Sequence, residues 1–109
     1  MRINGIATSA TYPYTAIDTQ TCKPLKKFPG SYIKSVVQET LNGNETKLME
    51  ILNYAGPVAV AINVCPGLEL LKTGVYDNPA CPNNTVNHAV VLVGYGIENG
   101  VPYWLIRNT

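Results

Sequence analysis

The dipeptide Asn99-Gly100 constrains this chain more than any other feature of its sequence. The tight turns that join antiparallel strands need positive φ at both central residues, and Asn-Gly tolerates that best. On one side stands the run His88-Ala89-Val90-Val91-Leu92-Val93-Gly94-Tyr95-Gly96, on the other Pro102-Tyr103-Trp104-Leu105-Ile106-Arg107. Both are rich in β-branched and aromatic residues, so the chain is expected to end in an antiparallel hairpin. Counting outward from the turn puts Gly94 near Tyr103. It puts His88 within roughly a residue or two of the level of Asn108.

That second pairing carries chemistry. His88 is the only histidine, hence the only side chain whose ordinary pKa lies near neutrality. An Asn oxygen accepting from one ring N–H fixes the tautomer and frees the other nitrogen for proton transfer. The plainer alternative is a half-exposed histidine that begins a strand beside an asparagine that ends one.

Upstream, the order of elements is strand, helix, strand, loop and hairpin. Tyr32, Val36 and Val37 suggest a strand over Gly30 to Gln38. Leu48, Ile51, Leu52 and Ala55 share one helical face, with Asn44 as N-cap, Glu45 at the positive end of the dipole and Gly56-Pro57 as the stop. Val58-Ala59-Val60-Ala61-Ile62-Asn63-Val64, bounded by Pro57 and Pro66, reads as a strand buried on both faces. Leu68, Leu70 and Leu71 suit a short helical turn. These elements predict an α+β fold: an antiparallel, β-rich sheet or partial barrel with one main helix near 45–55.

Composition removes several function classes. The 109 residues are 46% hydrophobic and 14% charged, which suits a folded domain and not a disordered tail. A net charge of +1 offers no basic face for nucleic acid, and Lys23, Lys26 and Lys27 read as a solvated loop. Val58 to Ile62 is too short an apolar run to cross a bilayer. No CxxC pair suggests zinc, and no metal or organic cofactor is expected. Gly94-Tyr95-Gly96 fails as a dinucleotide fingerprint, because Asn99 replaces the third glycine and a hairpin follows in place of a helix. Its glycines instead mark a strand crossing or bend. Cys22, Cys65 and Cys81 lie in loops or beside prolines and suit disulfides better than nucleophiles. Cys65 and Cys81 could close a loop, but spacing alone leaves the connectivity open. Asn44-Glu45-Thr46 and Asn83-Asn84-Thr85 are glycosylation sequons, although Met1 to Gly5 begins no signal peptide.

Taken together, several blocks resemble the papain family of cysteine peptidases, nearest the cathepsin L-like branch. They are Tyr12-Pro13-Tyr14 with Cys22, Gly56-Pro57-Val58-Ala59-Val60-Ala61-Ile62, Gly74-Val75-Tyr76, Asn87-His88-Ala89, Gly94-Tyr95-Gly96 and Pro102 to Asn108. The resemblance spans nearly the whole chain. It implies the right-hand, β-rich domain of the papain-like fold, incomplete here, with residues 1–109 as the His- and Asn-bearing C-terminal half of the peptidase domain. His88 matches the catalytic histidine and Asn108 the asparagine that orients it. Ala61, Val86 and Ala89, with Asn87, match substrate-binding positions. Cys22 and Cys81 match disulfide cysteines whose partners would lie outside the chain, and Cys65 has no counterpart.

The departures shape the expected function. In this family the nucleophilic cysteine precedes the histidine by ~130–150 residues, so it would fall roughly 40–60 residues before Met1. The oxyanion-hole glutamine is also absent, and Asn108-Thr109 stops inside the family's Asn-Ser-Trp-Gly motif. The chain therefore reads as a partial sequence of a lysosomal or secreted endopeptidase, inactive by itself. Expected partners are peptide or protein substrates, the N-terminal half of the domain, and a propeptide or cystatin-like inhibitor. Nucleic acid and membrane are not expected. The competing readings are a non-catalytic module that binds peptides or a partner half, and an unrelated β-rich binding domain.

Overall fold

The computed structural model describes residues 5–18, 21, 31–82 and 85–109. Cys22, the lysines 23, 26 and 27, and the sequon asparagine Asn83 lie outside the described residues. The chain divides into two compact units, Met1–Thr40 and Leu41–Thr109.

In the first unit the described residues form turns without helix or strand. Thr11 N and Tyr12 N both donate to Thr8 O, at 3.0 and 2.9 Å. Ser31 Oγ accepts from Ile6 N at 3.1 Å and donates to Ile6 O at 3.0 Å, joining residues far apart in sequence. The strand expected over Gly30 to Gln38 does not form across residues 31–38. A strand exists only by pairing, and Val36 and Val37, 70% and 78% exposed, pair with no strand among the described residues.

The second unit starts with helix α1, Glu45–Ala55. Its ends follow the sequence. Asn44 Oδ1 accepts from Lys47 N at 3.0 Å, satisfying one of the helix's orphan N–H groups. Gly56 closes the helix at φ 83°, its N–H bonded to Leu52 O at 3.1 Å. Pro57 prevents continuation, and strand β1, Val58–Ile62, begins at the next residue. A short 3-10 turn, Leu68–Leu70, interrupts the long connection to β2, His88–Glu98. Strand β3, Val101–Arg107, completes a three-stranded antiparallel sheet in the order β1-β2-β3. The sheet is open, and with α1 it is the antiparallel sheet with one main helix that the sequence predicts. Pro102 falls on β3, an edge strand, where a missing N–H is tolerated.

The hairpin forms on the expected turn, with Asn99 at φ 51° and Gly100 at φ 82°. The register differs in detail. Gly96 pairs with Tyr103 and Gly94 with Leu105, and an irregularity between Leu92 and Gly94 shifts the pairing so that Leu92 faces Ile106. A side chain on Gly96 would meet the Tyr103 ring: an added Cβ would lie 2.7 Å from its hydroxyl oxygen. Glycine lets that aromatic ring lie across the neighbouring strand.

The strands alternate between faces. Val90 and Leu92, 5% and 2% exposed, form the core with Leu52 of α1 and Cys65, while Ala89, Val91 and Val93 are exposed. Val58, Val60 and Ile62 share the inner face of β1, and Ala59 and Ala61 the outer one. The expectation that β1 is buried on both faces is thus corrected: Ala59 and Ala61 on its outer face are exposed, and among the described residues one helix packs against the sheet.

Candidate active site

The two ends of β2 have separate duties. Its C-terminal end makes the hairpin. Its N-terminal end carries His88, opposite Ile62 of β1, on the inner face of the sheet. Asn108 follows the last residue of β3, whose Arg107 pairs with Val91. The antiparallel register and the shift beside Leu92 bring these two sheet ends together. His88 Nε2 lies 2.7 Å from Asn108 Oδ1. An amide oxygen can only accept, so Nε2 carries the proton and donates it to this bond. The other ring nitrogen, Nδ1, is then the one free to exchange a proton.

A clamp at the neck of the 63–87 connection holds His88 in place. Asn87 N donates to Ile62 O at 3.0 Å. Its side chain turns back on Val64: Val64 N donates to Asn87 Oδ1 at 2.8 Å, and Asn87 Nδ2 donates to Val64 O at 3.1 Å. Asn63 Nδ2 donates to Pro82 O at 2.7 Å. The Cys65–Cys81 disulfide closes the same neck across a sequence separation of 16, with Cα atoms 5.8 Å apart. This corrects the expectation for Cys81, whose partner is inside the chain, and gives Cys65 a role. The connection doubles back on itself, which brings both Cα atoms within disulfide range. Tyr76 packs over the turn, its hydroxyl within hydrogen-bond distance of Cys65 O at 3.3 Å and Pro66 O at 3.2 Å.

A cavity of about 360 Å³ opens beside the imidazole, lined by Val64, Leu68, Glu69, Asn87, His88, Asn108 and Thr109. Of the residues singled out in the sequence, His88, Asn108 and Asn87 meet here. Ala61 and Ala89 are placed elsewhere. They pair with each other across β1 and β2 on the outer face of the sheet, and Val86 is exposed in the loop just before. Glu69 and the clamping function of Asn87 escape a reading of the sequence. The leucines around 68 signal a helical turn, but nothing local says that this turn comes to rest beside His88. Among the described residues, no group of three or more His, Cys, Asp or Glu could hold a metal ion.

This arrangement suits proton transfer at an oriented imidazole. The profile "Papain family cysteine protease" matches residues 1–109. The thiol protease aleurain of Arabidopsis thaliana is 42% identical over 107 residues, covering 96% of this chain and 29% of the relative. Pro-cathepsin H of Medicago truncatula is also 42% identical, covering 96% of this chain and 30% of the relative. Digestive procathepsin L2 proteinase from Tenebrio molitor larval midgut superposes with a TM-score of 0.69 at 31% identity, over 96% of this chain and 33% of that one. The chain thus spans about three tenths of the length of the curated relatives it matches. Its sheet and helix are part of the papain-like fold, and the chain belongs to the papain family of cysteine proteases.

Proposed function

We propose that this chain supplies the histidine and asparagine of a cysteine-type endopeptidase. The observation that carries the reading is the 2.7 Å bond from His88 Nε2 to Asn108 Oδ1. With Nε2–H held by Asn108, Nδ1 is the nitrogen that works with the cysteine. The thiol proton passes to Nδ1, giving a thiolate and an imidazolium. The thiolate attacks the carbonyl carbon of the peptide bond. As the C–N bond breaks, Nδ1–H protonates the leaving amine and an acyl-enzyme remains. Water then attacks the thioester carbonyl, giving its proton to Nδ1 and releasing the acid and the thiol sulfur. Asn108 keeps the ring oriented through both half-reactions.

The nucleophile in this reading is a cysteine outside these 109 residues. Cys65 and Cys81 are bonded to each other and cannot form a thiolate. Ala61, Val86 and Ala89 bind substrate on the acyl side. Small apolar residues at those positions leave room for a bulky hydrophobic group. Residues 1–109 act as the C-terminal half of the peptidase domain, with the N-terminal half, a propeptide or a cystatin-like inhibitor as protein partners. A disulfide and an exposed sequon at Asn44 favour a lysosomal or secreted setting. A second reading is a module that binds peptides without cutting them, which the pairing of Cys65 with Cys81 favours, since neither can then act as a nucleophile.

The test is hydrolysis of a peptide with Phe or Leu at the second position before the cleaved bond. The 109-residue chain alone is expected to show no thiol-dependent turnover. The same chain fused behind the nucleophile-bearing half of a relative is expected to cleave it, with the activity lost in His88→Ala. A folded fusion that binds the peptide but never turns it over supports the second reading instead.

A further inference from the structure

The cavity beside His88 has two kinds of wall. Val64 and Leu68, both half-buried, offer aliphatic surface, and the exposed Glu69 contributes a carboxylate. Glu69 Oε2 accepts from Gly67 N at 3.1 Å, which ties the carboxylate to the turn before its own 3-10 segment. Among the described residues, no Lys or Arg shares the lining with Glu69.

The chemistry of bond cleavage decides which part of a substrate meets these walls. The leaving amine takes its proton from the imidazole, so its nitrogen must come within hydrogen-bond reach of His88. The residue that contributes the amine therefore rests in the cavity that His88 shares with Leu68 and Glu69. An aliphatic stem ending in a cation matches an apolar wall beside a carboxylate, and lysine and arginine side chains are built that way. A carboxylate side chain would meet like charge.

We infer that Glu69 is a specificity-determining residue that selects lysine or arginine on the amine side of the bond cut at His88. The inference rests on the peptidase reading of His88. Because Glu69 is exposed, water and salt screen it, and the expected preference is about two- to five-fold.

The probes are dipeptide amides whose N-terminal residue is arginine, leucine or aspartate, each followed by glycine. They are titrated into the 109-residue chain while the His88 imidazole signals are followed by NMR. The arginine peptide is expected to bind about two- to five-fold tighter than the leucine peptide, with aspartate weakest. Glu69→Gln should remove the preference of arginine over leucine, and high salt should do the same. Equal binding of arginine and leucine peptides, both shifting the His88 signals, overturns the role of Glu69 and leaves the peptidase reading standing. An arginine preference that survives Glu69→Gln also overturns it. Failure of every peptide to shift those signals also overturns the role of Glu69, while the peptidase reading stands or falls separately on the fusion and its His88→Ala variant.

Discussion

Asn87 returns both ends of its side-chain amide to a single residue, Val64, accepting from its N–H at 2.8 Å and donating to its carbonyl at 3.1 Å. The amide extends the β1–β2 pairing by one rung beyond Ile62 and His88, where the backbone ladder has stopped. Asn87→Ala removes both bonds and is expected to cost about 1–3 kcal/mol by denaturant titration. Asn87→Asp keeps the acceptor and loses the donor, so its midpoint should fall between those of Asn87→Ala and the parent chain.

Asn108→Ala leaves Nε2 of His88 without its acceptor. The neutral ring should change from one tautomer, with the proton on Nε2, to a mixture of two. Nitrogen-15 chemical shifts of the imidazole read this directly. A ring that keeps the single tautomer would show that Asn108 does not set it.

The Cys65–Cys81 bond closes a loop of sequence separation 16. Loops of that size are stabilised by about 3 kcal/mol when crosslinked. The double variant Cys65→Ser with Cys81→Ser should lose an amount of that order. Faster amide exchange is expected first in Val64, Leu68 and Asn87, with less change in α1.

Gly96 lies under Tyr103, and an added Cβ would come within 2.7 Å of its hydroxyl oxygen. Gly96→Ala forces the ring to move and should destabilise the hairpin by about 1–3 kcal/mol. Combining it with Tyr103→Ala should cost less than the sum of the two single changes. Simple additivity in that double-mutant cycle would deny the contact.

A helix cap and a glycan at Asn44 would not compete. Its Oδ1 caps α1 through Lys47 N, while a glycan would attach at Nδ2. Asn44→Ala should destabilise the helix by about 0.5–2 kcal/mol in chain made without glycosylation. In a secretory host the parent chain should carry glycan at this residue, seen as a mass difference that Asn44→Gln abolishes.

The local signals were legible wherever neighbours in sequence decide the structure. Asn44, Gly56 and Pro57 marked α1 correctly because capping and stopping act over three or four residues. Asn99 and Gly100 marked the hairpin because positive φ is a property of those residues themselves. The same turn brought Asn108 to the level of His88. The strand expected around Val36 and Val37 failed for the opposite reason, since β-propensity needs a partner that the local sequence cannot supply.

The sequence alone therefore determined the helix, the hairpin turn and the approach of an imidazole to an amide. Only the tertiary structure decided that Cys65 bonds to Cys81, that Asn87 clamps Val64, and that Glu69 faces the His88 cavity. All three depend on how the 63–87 connection folds back on itself. Such a path is set by the sum of many weak contacts between residues distant in sequence, and no single residue type announces it.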